Sequence, residues 1–291
     1  MSNKLATITV SIILSLTFTS ASLAETVLSE IKRTGVLKVG IREDAAPFGF
    51  LDDQDKLQGY CMTKMYVLAN YFGEVLNRPV RLEPIPSVLD EDSPNNRYRM
   101  VANGKVHLDC GPNTIKTAPP LSGVTYSTAF YFSGTHFLIR PEMKGIFNPE
   151  TSLAGKKIGV LPGSNTHPLI SSTYPLADIV DTRYRSSNGR ELALRDVVER
   201  DIDAFASDGM LLMAEALRQG LTFQDFTLIP DRPLSCDFYG IILPDQDIEW
   251  KTIIDKFINN LRWEIILEKS LGVESIYYQG LRQAAYEKCA N

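Results

Sequence analysis

The sequence predicts an α/β protein folded as two lobes with a cleft between them, on three observations. Short β-rich runs alternate with helical segments from residue 36 to 110, the alternation restarts at residue 157, and a last strand and a long helix follow residue 238. Such alternation marks a mainly parallel sheet covered by helices. Two such units and a returning tail imply that the chain crosses to a second lobe, comes back and finishes on the first.

In the first unit Val36 to Ile41 reads as a strand, Tyr60 to Leu76 as a helix stopped by Asn77-Arg78-Pro79, and Val80 to Ile85 as the next strand. A short helix from Arg97 to Ala102 ends at Asn103-Gly104 and precedes a buried strand from Val106 to Cys110. Between them, Ser87 to Asn96 carries Asp90, Glu91, Asp92 and Pro94 and reads as a solvated loop.

In the second unit Lys157 to Leu161 is a strand closed by Pro162-Gly163, and Ser164 caps the helix after it. Ile179 to Tyr184 is a strand, Asn188 to Arg200 an amphipathic helix carrying Leu192, Leu194, Val197 and Val198, Ile202 to Ala206 a strand and Gly209 to Gln219 a helix. Phe238 to Leu243 gives one more strand, and Ile253, Phe257, Leu261 and Ile265 recur every four residues on one face of a helix. A cleft between lobes, at the carboxyl ends of parallel strands, is the expected ligand site.

The N-terminus has the pattern of a cleaved signal peptide over residues 1–24: Lys4, a mostly apolar stretch from Leu5 to Phe18, then Ser22-Leu23-Ala24 before the cut. The alternative is a membrane anchor, but Thr7, Thr9, Ser11, Ser15 and Thr17 interrupt a stretch already short of the roughly 20 apolar residues a spanning helix needs. Loss of Lys4 moves the net charge from −5 to −6. A mildly acidic chain without a basic run gives no footing for nucleic acid. Cys61, Cys110, Cys236 and Cys289 permit two disulfides in three connectivities. We favour Cys61–Cys110 with Cys236–Cys289, buried free thiols being the alternative. Their spacing gives no metal-site pattern, and no cofactor motif is present.

Several pieces resemble a known family. Leu37-Lys38-Val39-Gly40-Ile41-Arg42-Glu43-Asp44, then Pro47-Phe48-Gly49-Phe50 and Gly59-Tyr60, is similar to the opening of family 3 extracellular solute-binding proteins, the polar amino-acid receptors of ABC importers. Asn103 to Gly111, Leu153 to Val160, Pro162-Gly163-Ser164, Ile202 to Phe205 and Tyr239-Gly240-Ile241 follow in the same order. Arg42-Glu43, Asn96-Arg97 and Asp109-Cys110-Gly111 look most like the glutamate/aspartate-binding branch.

The resemblance implies a type II periplasmic-binding-protein fold, with a large lobe from residues 25–130 and 239–291, a small lobe from 131–238, and closure on ligand about two crossing strands. It also implies a monomeric periplasmic receptor, with an amino acid as ligand and an ABC permease in the inner membrane as partner. Asp208 matches the acid that pairs the ligand ammonium, though Asp also favours a helix N-cap. Ser164, Asn165 and Thr166 open a helix whose free N–H groups attract an anion. Gly111, Asn113 and Thr114 match the ligand-facing loop, where turn formation is the plainer role. Arg42 and Arg97 match positions that pair a side-chain carboxylate, for which a guanidinium fork is suited.

One departure stands out. The family carries its α-carboxylate arginine in the loop after Gly111, yet no arginine lies between Arg99 and Arg140. Either Lys116 substitutes, Arg42 or Arg97 takes the carboxylate, or the ligand is not an ordinary α-amino acid. Two other classes compete: a cyclohexadienyl dehydratase-like enzyme on the same fold, with His107, His136 or His167 as acid–base groups, and an orphan sensor or interaction module. None of the three histidines sits in a recognisable catalytic pattern.

Overall fold

The computed structural model describes residues 25–260 and 275–289. The expected signal peptide, and Leu261 and Ile265 of the helical stripe, lie outside the described residues.

Helix α1 (Val27–Thr34) is capped by Thr26, which accepts the Ser29 N–H, and stops at Gly35, whose φ of 70° suits a residue without a Cβ. Strand β1 (Val36–Arg42) is the heart of the first sheet. It runs parallel to β5 (Arg81–Ser87) and β6 (Leu108–Cys110), and its last four residues are all buried, as a strand covered on both faces requires. Strand β15 (Ile242–Pro244) pairs antiparallel with β6 and with β7 (Val124–Tyr126), giving the order β5-β1-β6-β15-β7. A small meander of β2 (Asp44–Ala45), β3 (Gly49–Leu51) and β4 (Leu57–Gln58) follows β1.

Helices α2 (Tyr60–Val75), α3 (Arg97–Ala102) and α7 (Ile248–Asn260) pack on this sheet. Trp250 of α7 is fully buried, stacks on Phe72 of α2 at 5.5 Å and donates its indole N–H to the His107 carbonyl at 2.9 Å. A buried indole needs such a partner, and this one fixes the returning helix on the first sheet.

The second sheet has the order β11-β10-β12-β9-β13. Strands β10 (Lys157–Val160), β11 (Asp178–Val180) and β12 (Ala204–Asp208) are parallel, while β9 (Thr135–Ile139) and β13 (Thr227–Ile229) form its antiparallel edge. Its helices are α4 (Thr166–Thr173), α5 (Gly189–Val198) and α6 (Gly209–Arg218). The chain crosses between sheets twice, through β8 (Tyr131–Ser133) and β14 (Asp237–Tyr239), which pair antiparallel as a ribbon. The fold is the expected two-lobed α/β architecture.

Four expectations change. The strand expected from Phe238 to Leu243 divides at Gly240-Ile241, because β14 belongs to the ribbon and β15 to the first sheet. The strand expected from Ile179 to Tyr184 stops at Val180. A short helical turn then buries Tyr184, whose hydroxyl donates to Asp196 at 2.8 Å. The Ser87–Asn96 loop is more than a solvated excursion, since its acidic residues line the mouth of the cleft. The tail also does not end on the first sheet: α8 (Ser275–Cys289) lies on β8 and α6. Tyr277 meets Phe223 at 4.0 Å, and Lys288 Nζ donates to the Leu234 carbonyl at 3.0 Å.

Both favoured disulfides are present, Cys61–Cys110 joining α2 to β6 and Cys236–Cys289 joining the ribbon to α8. Among the described residues no helix is long and apolar enough to cross a membrane.

Candidate functional site

Strand β1 delivers Arg42 to the cleft at its carboxyl end, 1% exposed, where its Nε donates to Asp44 Oδ1 at 2.8 Å. Gly111 makes the room, since a Cβ there would stand 2.6 Å from Arg42 Cγ. Arg97 opens α3 behind Asn96, which accepts the Tyr98 and Arg99 N–H groups and so fixes the start of the helix. The Arg97 Nη1 donates to Asn113 Oδ1 at 3.1 Å, while its buried Nε has no partner among the described residues. Asn113, fully buried, passes its own Nδ2–H to Asp109 Oδ1 at 3.0 Å. Burial pushes the Asp109 carboxyl up from the ordinary carboxylate range.

The loop carrying Asn113 and Thr114 is laced to the returning strand. Ile115 N–H donates to the Phe238 carbonyl at 2.7 Å and Gly240 N–H to the Asn113 carbonyl at 3.0 Å. Thr114 Oγ1 then reaches Asp237 Oδ1 at 3.2 Å. Asp237 also accepts from Ser235, whose hydroxyl is 3.0 Å from Thr135 Oγ1, and Thr135 lies 3.5 Å from Thr166 Oγ1. A chain of hydroxyls thus runs from the first lobe across the ribbon to the start of α4.

Asp208 ends β12 and makes no capping bond to α6, so its carboxyl is not consumed by the capping role that its position also suits. It faces Asp237 and Tyr239. Burial, and next the negative charge of Asp237, push Asp208 up to about 7, against a smaller pull from Arg190. Burial raises Asp237 as well.

The other expected residues divide. Thr166 is buried within the hydroxyl chain. Ser164 is occupied locally, donating to the Leu161 carbonyl at 2.6 Å and accepting the His167 N–H, and Asn165 makes no side-chain capping bond. Lys116 is exposed, though its charge still acts on Asp237. The histidines are dispersed. His107 meets Glu30, His167 meets Asp181, and His136 bonds the Gly134 carbonyl, with burial pushing its pKa down to about 4.

A cavity of about 630 Å³ opens between the lobes, lined on one side by Glu43, Asp44, Leu89 and Asp90 and on the other by Gly163, Tyr184 and Ser187. The walls come close: the Ser187 hydroxyl acts on the Glu43 carboxyl, and a Cβ on Gly163 would stand 3.3 Å from the Leu89 carbonyl. Buried groups of both signs thus gather on one loop: Arg97 bonds Asn113, and the neighbouring Thr114 bonds Asp237, which faces Asp208.

No protein-family model matches the chain. It is 27% identical over 241 residues, 82% of this chain and 76% of the relative, to the glutamate/aspartate import solute-binding protein of Salmonella typhimurium. Among solved structures it superposes on the P235GK mutant of ArgBP from T. maritima with a TM-score of 0.68 at 21% identity, covering 83% of this chain and 97% of the other. By sequence and fold it is similar to amino-acid solute-binding proteins. Another solved neighbour is the ancestral amino acid-binding protein AncCDT-1, a precursor of cyclohexadienyl dehydratase, with a TM-score of 0.66, 20% identity and 90% and 98% coverage.

The residues missed by sequence reasoning are telling. Asp237 and Tyr239 complete the carboxylate end, yet Asp237 sits in a strand that announces nothing beyond its acidity. Arg190, in the run Ser186-Ser187-Asn188-Gly189-Arg190, is 4% exposed, and its charge acts on both Arg42 and Asp208. The one available signal was its place at the start of a helix, where a cation is disfavoured.

Proposed function

We propose that the chain is the exported solute-binding receptor of an amino-acid ABC importer, closing its lobes on a polar, acidic amino acid. The observation that carries this reading is the gathering of buried charges of both signs on one loop: Arg97 bonds Asn113, and neighbouring Thr114 bonds Asp237, which faces Asp208. A buried zwitterion requires each of its charges to be paired. The glutamate/aspartate relative supports the ligand class. In this reading Asp208 takes the ammonium, and Gly111, Asn113, Thr114, Ser164, Asn165 and Thr166 surround the ligand, with Lys116 at the rim. Residues 25–130 with 239–291 form the large lobe and 131–238 the small one, α8 lying across their junction. The receptor works in the periplasm as a monomer beside an inner-membrane permease, after cleavage behind Ala24.

A thermal-shift screen of the purified chain against amino acids, dicarboxylates and polyamines tests this, since a ligand that binds the native state alone raises the melting temperature. Stabilisation by acidic amino acids supports the reading, and no response from any amino acid sinks it. N-terminal sequencing of the exported protein should begin at Glu25.

The likeness to AncCDT-1 and the elevated Asp208 beside Asp237 favour a second reading, a dehydratase using Asp208 as general acid. Turnover of cyclohexadienyl substrates would select it. Stoichiometric binding without turnover selects the receptor.

A further inference from the structure

Sequence and packing place Arg190 where a merely structural arginine has little reason to be. It is the second residue of α5, near the positive end of a ten-residue helix, so its charge opposes the helix dipole. It is 4% exposed, and its Nε and Nη1 have no hydrogen-bond partner among the described residues. Gly189 fixes the backbone beside it: a Cβ there would stand 2.2 Å from the Tyr184 carbonyl oxygen, so the start of α5 is held tightly against the turn before it. A buried guanidinium with unsatisfied N–H groups is unfavourable in the empty protein and favourable once an anion arrives.

A second unsatisfied guanidinium belongs to the opposite lobe. Arg97 of α3 has its Nη1 on Asn113 and its Nε unpaired. The buried Arg42 feels both Arg97 and Arg190 as like charges, which places all three in one neighbourhood, and Arg42 already has Asp44. Two cations from different lobes therefore share the neighbourhood, each with at least one buried N–H left without a partner among the described residues. A carboxylate has two oxygens and about four acceptor sites, enough to serve both.

We propose that Arg190 is a specificity-determining residue that closes from the small lobe onto a carboxylate of the ligand, opposite Arg97, in place of the arginine absent from the loop after Gly111. This inference rests on the receptor reading. It adds that the anionic end of the ligand bridges the lobes, so that the closed state gains an interaction the open state lacks.

Calorimetry on the parent protein, Arg190→Gln and Arg190→Met, with L-glutamate, L-aspartate, L-glutamine and L-asparagine, tests it together with the melting temperature of each ligand-free protein. Both variants should bind the acidic ligands at least about a hundredfold more weakly, by analogy with the loss of one partner of a buried charge pair. An equal loss for acids and amides assigns Arg190 to the α-carboxylate, and a loss confined to acids assigns it to the side-chain carboxylate. Both outcomes support the proposal. Ligand-free Arg190→Met should melt at least about 2 °C higher than the parent, because an unpaired buried charge has gone. Unchanged affinity overturns the proposal, as does a ligand-free Arg190→Met that melts lower, the mark of a structural arginine. A parent protein that binds none of the four amino acids overturns the acidic-ligand reading separately, and the melting comparison still decides whether Arg190 is an unpaired charge.

Discussion

Asp208 and Asp237 face each other at the bottom of the cleft, one at the end of a small-lobe strand and the other on the ribbon that joins the lobes. Like charges so close, and both buried, cannot ionise independently, and the pair is relieved when a cation enters or when it holds a proton.

Ligand-free stability should therefore fall as pH rises from about 4 to about 7. Below the ordinary carboxylate pKa of about 3.9 Asp208 is neutral in both folded and unfolded chains. Between that value and about 7 the unfolded chain releases a proton that the folded chain retains, which favours unfolding. Above about 7 the contribution levels off. Melting temperatures across this range should show the decline in the parent and a flatter curve in Asp208→Asn.

Binding of an ammonium-bearing ligand should release protons below pH 7, because the arriving cation favours ionised Asp208. Calorimetry in buffers of different ionisation enthalpy measures this release. Asp208→Asn should abolish it and weaken binding by about 3–5 kcal/mol, roughly a hundredfold or more. Tight binding by Asp208→Asn would show that the ligand is not held there as an amine.

The three expected cations should separate. Arg97→Ala should weaken binding of the acidic ligand with little loss of stability, since among the described residues Arg97 makes one side-chain hydrogen bond, to Asn113. Arg42→Ala should lower stability as well, by about 3–5 kcal/mol, because Asp44 is left nearly buried without its partner. Lys116→Ala, at an exposed position, should change affinity by no more than about threefold. A large effect at Lys116 with none at Arg97 would remove the acidic-amino-acid assignment.

Mass spectrometry without reductant should find no alkylatable thiol. The bonds close chain separations of 49 and 53 residues, and the chain-entropy model gives each about 4 kcal/mol. Cys61→Ser with Cys110→Ser should therefore melt well below the parent, and an unchanged melting temperature would place most of the effect in the unfolded chain's residual structure.

Much of the fold was legible because it depends on local patterns. The strand at Val36, the helices at Tyr60 and Arg97 and the α/β restart at Lys157 all appear within a few residues of their expected bounds. What failed depended on tertiary partners. Nothing local divides Phe238 to Leu243, because the break exists only where the chain changes sheets. The candidate site divides in the same way. Arg42, Arg97, Asn113, Thr114 and Asp208 were singled out through their motifs, whereas Arg190 becomes visible only when burial and missing partners are known.

Cys236 stands between Ser235 and Asp237, so the bond to Cys289 anchors the strand that carries half of the carboxylate pair. Such a bond forms where thiols are oxidised. A newly made chain still inside the reducing cytosol holds this strand through its ladder to β8 and through contacts of α8 that are not yet covalent. For an exported receptor, crossing the membrane then becomes a step of maturation as well as of delivery. In the proposed receptor the framework of the site is then completed on the side where ligand is to be collected.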